Sequence, residues 1–461
     1  MKYDIIVLGS GPGGYVTAIR AAQLGFKVAV VEKENLGGVC LNWGCIPTKA
    51  LLKSAQVFDY IKHANQYGVI AGEPKADFPA MIQRSRGVAE SMSNGVAFLM
   101  RKNDITVING FGKLLPGKQI EVTNDDEKTV YSADHIIIAT GARARQLPNL
   151  PIDGEKVIDY RKAMTLDKQP ESMIVVGSGA IGVEFAYFYH TIGTKVIIIE
   201  YLPNIVPLED IDVSKQLGRS FKKSKIKVMT SSELLSVDTS GDKVKAIVNT
   251  KKGEVELEAD IILSAVGIQA NIENIGLEEV GITTEHGKIT VNDFYQTNVE
   301  GYYAIGDVLP TPALAHVASA EGITCIEKIA GHNPDKIDYN NIPGATYTSP
   351  EISSTGMTEQ QAKDAGYEIL VGKFPFTASG KAKAAGAAEG FVKVILDKKY
   401  GEILGAHMIG ANVTEMIAEI VTARKAEATG HTILKAIHPH PTMSEAIMEA
   451  VADAYDEVIH L

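Results

Sequence analysis

The chain is 461 residues long, 45% hydrophobic and 22% charged, which describes an ordinary globular protein with ample core, and its length suggests about three domains. A formal charge of −11 argues against nucleic acid as a partner, because phosphate binding needs a basic face. No apolar run approaches the roughly twenty residues that span a bilayer, and a strand pattern is under way by Ile5, so neither a membrane partner nor a signal peptide is expected and a cytoplasmic protein is the simplest reading.

Residues 3–8 are a short apolar run typical of a buried parallel strand. They lead into Gly9-Ser10-Gly11-Pro12-Gly13-Gly14, a helical pattern from 15 to 24 closed by Gly25, and a second apolar run at 27–31 that ends on Glu32. Strand, glycines, helix, strand and acid in that order form the βαβ fingerprint of a dinucleotide site. Gly9, Gly11 and Gly14 let backbone N–H groups approach a pyrophosphate at the positive helix end, and Glu32 is placed to accept hydrogen bonds from a ribose.

Two cysteines follow, Cys40 and Cys45, with Leu41-Asn42-Trp43-Gly44 between them. A disulfide there closes a very small ring and removes little unfolded-chain entropy, so it is a poor staple. The only other cysteine is Cys325, so no disulfide framework exists. The pair reads as redox chemistry. The alternatives are two unrelated buried thiols or half of a metal site, although no further Cys or His lies nearby to complete a zinc set. A helical pattern runs from about 48 to 61 after Ile46-Pro47, and a thiol at such a helix start has its pKa lowered. Trp43, the only tryptophan, sits inside this loop and is expected to pack close to the active site.

An apolar strand at 136–138 runs into Ala139-Thr140-Gly141, and then the first unit recurs. Residues 173–176 lead into Gly177-Ser178-Gly179-Ala180-Ile181-Gly182, a helix to Ile192 capped by Gly193, and a strand at 195–199 ending on Glu200. Gly9 and Gly177, Gly11 and Gly179, Gly14 and Gly182, and Glu32 and Glu200 are all separated by one constant offset, so the chain carries two dinucleotide sites. An acid at Glu200 would repel a 2′-phosphate, and no arginine follows it, so the second site should prefer NAD over NADP.

Residues 261–267 repeat the pattern of a buried strand ending in small residues, here Gly267. Residues 297–307 are expected to form a further strand ending in Gly306-Asp307, where an aspartate can bind sugar or ribityl hydroxyls. Cys325 falls in a helical stretch at 317–330 and reads as a small core residue. After about residue 342 strands alternate around turns, as at 390–396, and helices follow at 412–428 and 444–459. The fold expected is α/β, with two Rossmann-like dinucleotide-binding domains and a C-terminal α+β domain suited to an oligomer interface. Its divisions are 1–145 and 271–342 for the first dinucleotide-binding domain, 146–270 for the second and 343–461 for the last.

The combination of both glycine fingerprints, the Cys40–Lys49 segment, Ala304-Ile305-Gly306-Asp307, Ala315-His316 and His438-Pro439-His440-Pro441-Thr442-Met443-Ser444-Glu445 resembles the flavin disulfide reductases. The resemblance covers the whole length, and within the family it is to the lipoamide-reoxidising branch. Val39 and Thr48 stand where that branch more often has Thr and Ser, changes that are conservative for the chemistry.

The resemblance implies FAD at the first site, with Gly9, Gly11, Gly14, Glu32, Lys49, Gly112, Thr140, Gly141, Ala142, Asp307, Ala315 and His316 as contacts. It implies NAD at the second, with Gly177, Gly179, Ile181, Gly182, Glu184, Glu200 and Gly267, Glu184 also being the partner of Lys49. It implies a homodimer whose active site joins Cys40 and Cys45 of one subunit to His440 of the other. Cys40 would be the interchange thiol, Cys45 the thiol facing the flavin, His440 the base and Glu445 its orienting acid. The reaction implied is the oxidation of dihydrolipoyl groups by NAD+, the partners being lipoyl domains of acyltransferases or the glycine cleavage H protein, in 2-oxo acid dehydrogenase or glycine cleavage complexes. No metal is expected.

Two readings compete within the residues themselves. Thr442-Met443-Ser444-Glu445 is also a capping box for the last helix, so Glu445 has a structural alternative. His438 reads as structural. Among rival activities, glutathione-type reductases use NADPH, against which Glu200 speaks, and mercuric reductases carry an extra cysteine pair near the C-terminus that residues 456–461 lack. A soluble transhydrogenase or a non-catalytic flavin subunit would not need Cys40, Cys45, His440 and Glu445 together.

Overall fold

The computed structural model describes residues 2–461. The first sheet runs Thr106–Asn109, Val28–Glu32, Lys2–Leu8, Glu127–Ile138, Gln119–Asn124, Phe111–Leu115. Its first four strands are parallel, and Tyr302–Ala304 joins the far end of Glu127–Ile138 in parallel. Ile5, Ile6 and Val7 are fully buried, as a strand covered on both faces requires. The helices Pro12–Gln23 and Ala315–Ile329 pack together over this sheet, Gly322 giving the close approach at which a Cβ would collide with Thr17.

The second sheet repeats the design in the order Lys227–Met229, Lys195–Ile199, Ser172–Val176, Ile261–Ser264, Val157–Ile158, all parallel. An antiparallel triplet of Glu233–Asp238, Val244–Thr250 and Gly253–Ala259 covers it. The chain enters this lobe along Ala142–Ala144 and leaves along Ile268–Ala270, and these two strands pair antiparallel. Thr140 and Asn271 extend the junction, the Thr140 hydroxyl donating to the Asn271 carbonyl at 2.7 Å and the Asn271 amide donating back at 3.0 Å.

The third sheet is antiparallel, in the order Gly344–Thr346, Glu351–Gly356, Ile403–Gly410, Phe391–Asp397, Ile369–Pro375. Its two central strands, Phe391–Asp397 and Ile403–Gly410, are buried along their whole length. The helices Val413–Lys425 and Glu445–Ala454 cover one face. The other faces the second lobe across the helix Ile211–Lys223, where Lys393, 1% exposed, meets Asp210 at 2.9 Å, Asp212 at 3.2 Å and Glu359 at 2.7 Å.

Three expected elements differ. The run 297–307 is not one strand: only Tyr302–Ala304 is extended, because residues 297–302 close a turn in which the Thr297 N–H donates to Tyr302 and Gly301 takes a φ of 84°. Gly306–Val308 is a 3-10 turn. The last helix ends at Ala454, where Glu457 N–H closes back onto the Ala452 carbonyl at 2.8 Å and Asp456 turns left-handed. The helix expected from 48 spans Cys45–Lys62, which changes the setting of a site residue.

Candidate active site

The two glycine turns are geometric copies. Gly9 and Gly177 have φ of 105° and 99°, and a Cβ on either would strike the carbonyl oxygen of the neighbouring strand end, Ala139 or Ala265. Gly14 and Gly182 press against the Gly9 and Gly177 carbonyls in the same way. Gly11 and Gly179, which precede the helices Pro12–Gln23 and Ala180–Thr191, have nothing within 4 Å of a built Cβ. Bare backbone beside open space at a helix N-terminus is the cradle that a pyrophosphate fills.

Glu32 and Glu200 are buried and bound alike. Ser10 donates both N–H (2.9 Å) and Oγ (2.5 Å) to Glu32, as Ser178 does to Glu200 at 2.9 and 2.6 Å. The second carboxylate oxygen accepts from Glu34 N–H at 2.8 Å in one copy and Leu202 N–H at 2.7 Å in the other. Lone pairs remain for a ribose. Ser10 and Ser178 are site-shaping residues that the sequence reading passed over, although they stand at the same constant offset as the glycines.

The redox loop starts against the first fingerprint, Gly38 lying so close to Gly11 that a Cβ there would come within 2.6 Å of the Gly11 Cα. A short helix, Gly38–Asn42, carries Cys40, and Cys40 and Cys45 are joined as a disulfide with Cα atoms 4.7 Å apart. Cys45 is the first residue of the helix Cys45–Lys62, behind an N-cap, Gly44, that offers no side-chain acceptor. The free N–H groups and positive end of that helix favour a thiolate there. One turn on, Lys49 Nζ sits 3.0 Å from both oxygens of Glu184, whose side chain is 5% exposed. Tyr347 completes the group, its N–H donating to Glu184 at 2.9 Å and its ring lying 4.4 Å from Lys49 Nζ. Tyr347 lies nearly three hundred positions from Lys49 in the chain, and nothing in its local sequence announced it. Trp43 packs on the cluster that includes Leu51, Leu52 and Phe185, with the Arg86 and Arg161 guanidinium carbons 4.7 and 5.3 Å from its ring centre.

The other expected contacts spread around the first fingerprint. Gly112 is buried against Leu8 and Val31. Thr140, Gly141 and Ala142 form the start of the junction to the second lobe, and Gly267 lies at its return, Gly141 and Gly267 both at positive φ with open space above them. Asp307 is in the Gly306–Val308 turn, where burial pushes its carboxyl above the ordinary range against the pull of Lys288. Ala315 and His316 open the helix Ala315–Ile329, and His316 Nε2 lies 3.0 Å from the Pro343 carbonyl oxygen. Burial lowers the His316 pKa. Ile181 is exposed in the first turn of the second fingerprint helix. Cys325 is fully buried, and burial drives its thiol pKa upward, so it is inert.

His440 is 80% exposed and bonds, among the described residues, only to Glu445, Nδ1 to Oε1 at 2.8 Å. Burial works to raise the Glu445 pKa, but the Thr442 N–H and His440 hold it below the ordinary carboxylate value. The His438 side chain is 7% exposed and bound to Glu419 at 2.8 Å. No group of three or more metal-ligating side chains occurs among the described residues.

Each fingerprint thus offers an open glycine backbone and a buried carboxylate, which fit one dinucleotide apiece, and the disulfide abuts the first. Residues 3–322 match the pyridine nucleotide-disulphide oxidoreductase family, and residues 342–451 match the dimerisation domain of the same family. Two similar proteins are the dihydrolipoyl dehydrogenases of Rhizobium etli, 47% identical with 100% of this chain and 99% of that protein covered, and of Zymomonas mobilis, 47% identical with 99% of each covered. Among solved structures, LpdA of Mycobacterium tuberculosis superposes with a TM-score of 0.91 at 27% identity, covering 97% of this chain and 99% of its own.

Proposed function

The chain belongs to the pyridine nucleotide-disulphide oxidoreductase family, and from that premise we propose that it oxidises protein-bound dihydrolipoyl groups with NAD+ through the Cys40–Cys45 disulfide. It uses FAD and NAD and carries the homodimer-forming domain of its family. The observation that carries the reading is the disulfide whose second sulfur begins a helix, in a chain with two matched dinucleotide cradles.

Gly11, Gly14, Glu32, Lys49 and Asp307 would hold FAD, and Gly179, Gly182 and Glu200 would hold NAD. When bound, the flavin relays an electron pair between the cysteines and the nicotinamide. The chain's own residues govern the thiol chemistry. A substrate thiolate attacks Cys40, the Cys40–Cys45 bond breaks, and Cys45 leaves as a thiolate stabilised by its helix end. The second substrate sulfur then displaces Cys40 and closes the substrate disulfide. His440, contributed by the second subunit, takes the proton that makes the substrate sulfur a nucleophile. Glu445 fixes its tautomer through Nδ1, leaving Nε2 for the thiol.

The natural substrates under this reading are lipoyl domains of acyltransferases or the glycine cleavage H protein, in the cytoplasm. The purified yellow protein should form NADH from dihydrolipoamide and NAD+, and do so faster than it reduces glutathione disulfide with NADPH. Absence of NADH in the first mixture sinks the reading.

A further inference from the structure

Three cations stand about the redox loop, and among the described residues two are matched by acids. Lys49 is held by Glu184. Arg161, on the short helix Tyr160–Ala163, is held by Glu34 at 3.0 Å. Arg86 has no carboxylate. Its Nη2 reaches only Met164 Sδ, at 3.9 Å, and its Nε is buried without a partner, as is the Trp43 indole N–H. Burial lowers its pKa and no acid opposes that effect, yet an arginine stays charged at neutral pH.

The placement of this charge is fixed from two directions. The helix Phe78–Lys102 lies along the first turns of the helix that Cys45 begins: Ser85 Oγ donates to the Pro47 carbonyl at 2.9 Å and Arg84 to the Ala50 carbonyl at 2.7 Å. Arg86 then stacks on Trp43, two positions before Cys45. Stacked on an aromatic face with its Nε buried, the half-buried guanidinium is screened less than a fully solvated one.

We propose that Arg86, held against Trp43, is a positioning residue of the redox centre whose uncompensated charge stabilises the thiolate left on Cys45. This rests on the reading of Cys40–Cys45 as the working disulfide. When a dithiol reduces that disulfide, its two sulfurs close a new disulfide and give up two protons. The two electrons break the Cys40–Cys45 bond, one proton remains on Cys40, the other leaves through His440, and Cys45 keeps the negative charge. Arg86 approaches the redox loop over Trp43 from the helix Phe78–Lys102, Lys49 stands one turn along Cys45's own helix with Glu184 against it, and Arg161 approaches Trp43 from the helix Tyr160–Ala163 with Glu34 against it.

The test is the pH dependence of Cys45 alkylation by iodoacetamide in flavin-bound protein carrying Cys40→Ser, where Cys325 is buried and silent. Arg86→Met should move the titration upward by on the order of one pH unit. Arg86→Lys should restore most of it, and Arg101→Met, exposed in the last turn of the same helix, should leave it in place. An unmoved titration in Arg86→Met overturns the proposal, as does an Arg86→Lys shift equal to that of Arg86→Met. Should Arg86→Met not fold with flavin bound, Arg86→Gln gives the same comparison. In the unsubstituted protein dihydrolipoamide should expose two alkylatable thiols at Cys40 and Cys45. If none appears, the redox reading falls and the proposal with it. If they appear and Arg86→Met titrates like its parent, the proposal alone falls.

Discussion

Glu445 divides its carboxylate between two tasks, Oε1 meeting His440 Nδ1 at 2.8 Å and Oε2 accepting the Thr442 N–H at 2.8 Å. The capping-box arrangement is only half made, since the Thr442 hydroxyl turns to the Pro439 carbonyl instead of the helix. The helix start and the orientation of the imidazole are thus served by one side chain, and neither excludes the other.

Glu445→Gln separates the two tasks. The amide oxygen can still accept from Thr442, so the helix should persist, while the imidazole loses its anionic partner. We expect kcat/KM for dihydrolipoamide to fall by about 10²-fold with the thermal midpoint little changed. Steady-state rates and a melting curve check it, and undiminished turnover would leave Glu445 a helix start alone.

The twin serines give a crossed test. Ser178→Ala removes one charge-assisted hydrogen bond from buried Glu200 and should raise KM for NAD+ roughly ten-fold, with FAD retained. Ser10→Ala should instead loosen FAD and leave KM for NAD+ in place. Dialysis against salt followed by flavin absorbance reads the second effect. Identical behaviour of the two variants would refute separate sites.

Lys393 joins the third sheet to the second lobe through Asp210, Asp212 and Glu359. Lys393→Met strands the buried Asp210 carboxylate, while Asp212 keeps Lys373 and Glu359 keeps Lys363, and should cost about 3–5 kcal/mol in denaturant unfolding. Adding Asp210→Asn should recover part of that loss by removing the stranded charge. A full-strength Lys393→Met protein would mean that Asp210 reaches water once the lysine is gone.

His135, His316 and His407 are all held below the ordinary histidine pKa by burial. Unfolded, each takes a proton near pH 6.5, and folded each resists it, so the unfolded chain binds more protons on acidification. Stability should therefore decline as pH falls below about 6.5. His407, 2% exposed, is the most confined, and His407→Gln should flatten the slope of melting temperature against pH by up to about 1.4 kcal/mol per unit in free-energy terms. An unchanged slope would remove His407 from this account.

Much of the site was legible because it lies in local patterns. The strand–glycine–helix–acid order recurs at one offset, and each copy folds from contacts within some thirty residues. The loop of Cys40 and Cys45 is equally local. What stayed hidden depends on contacts between distant segments: Tyr347 against Lys49, Arg86 and Arg161 about Trp43, Lys393 within three acids. A lone arginine on an amphipathic helix looks the same whether it meets solvent or an indole. The run 297–307 misled because its apolar spacing suits a strand, while the decisive features were a threonine closing a turn and the left-handed Gly301.

The antiparallel pairing of Ala142–Ala144 with Ile268–Ala270 means that the chain enters and leaves the intervening lobe through one two-stranded stem. The two ends emerge side by side and hydrogen-bonded to each other, the geometry at which an inserted domain enters and leaves its host. A dinucleotide-binding unit with adjacent ends interrupts the surrounding unit at a single point between its strands. The second copy of the Ser10–Glu32 arrangement, Ser178–Glu200, lies wholly between the two strands of that stem, so one cradle is enclosed in sequence within the segment that interrupts the other.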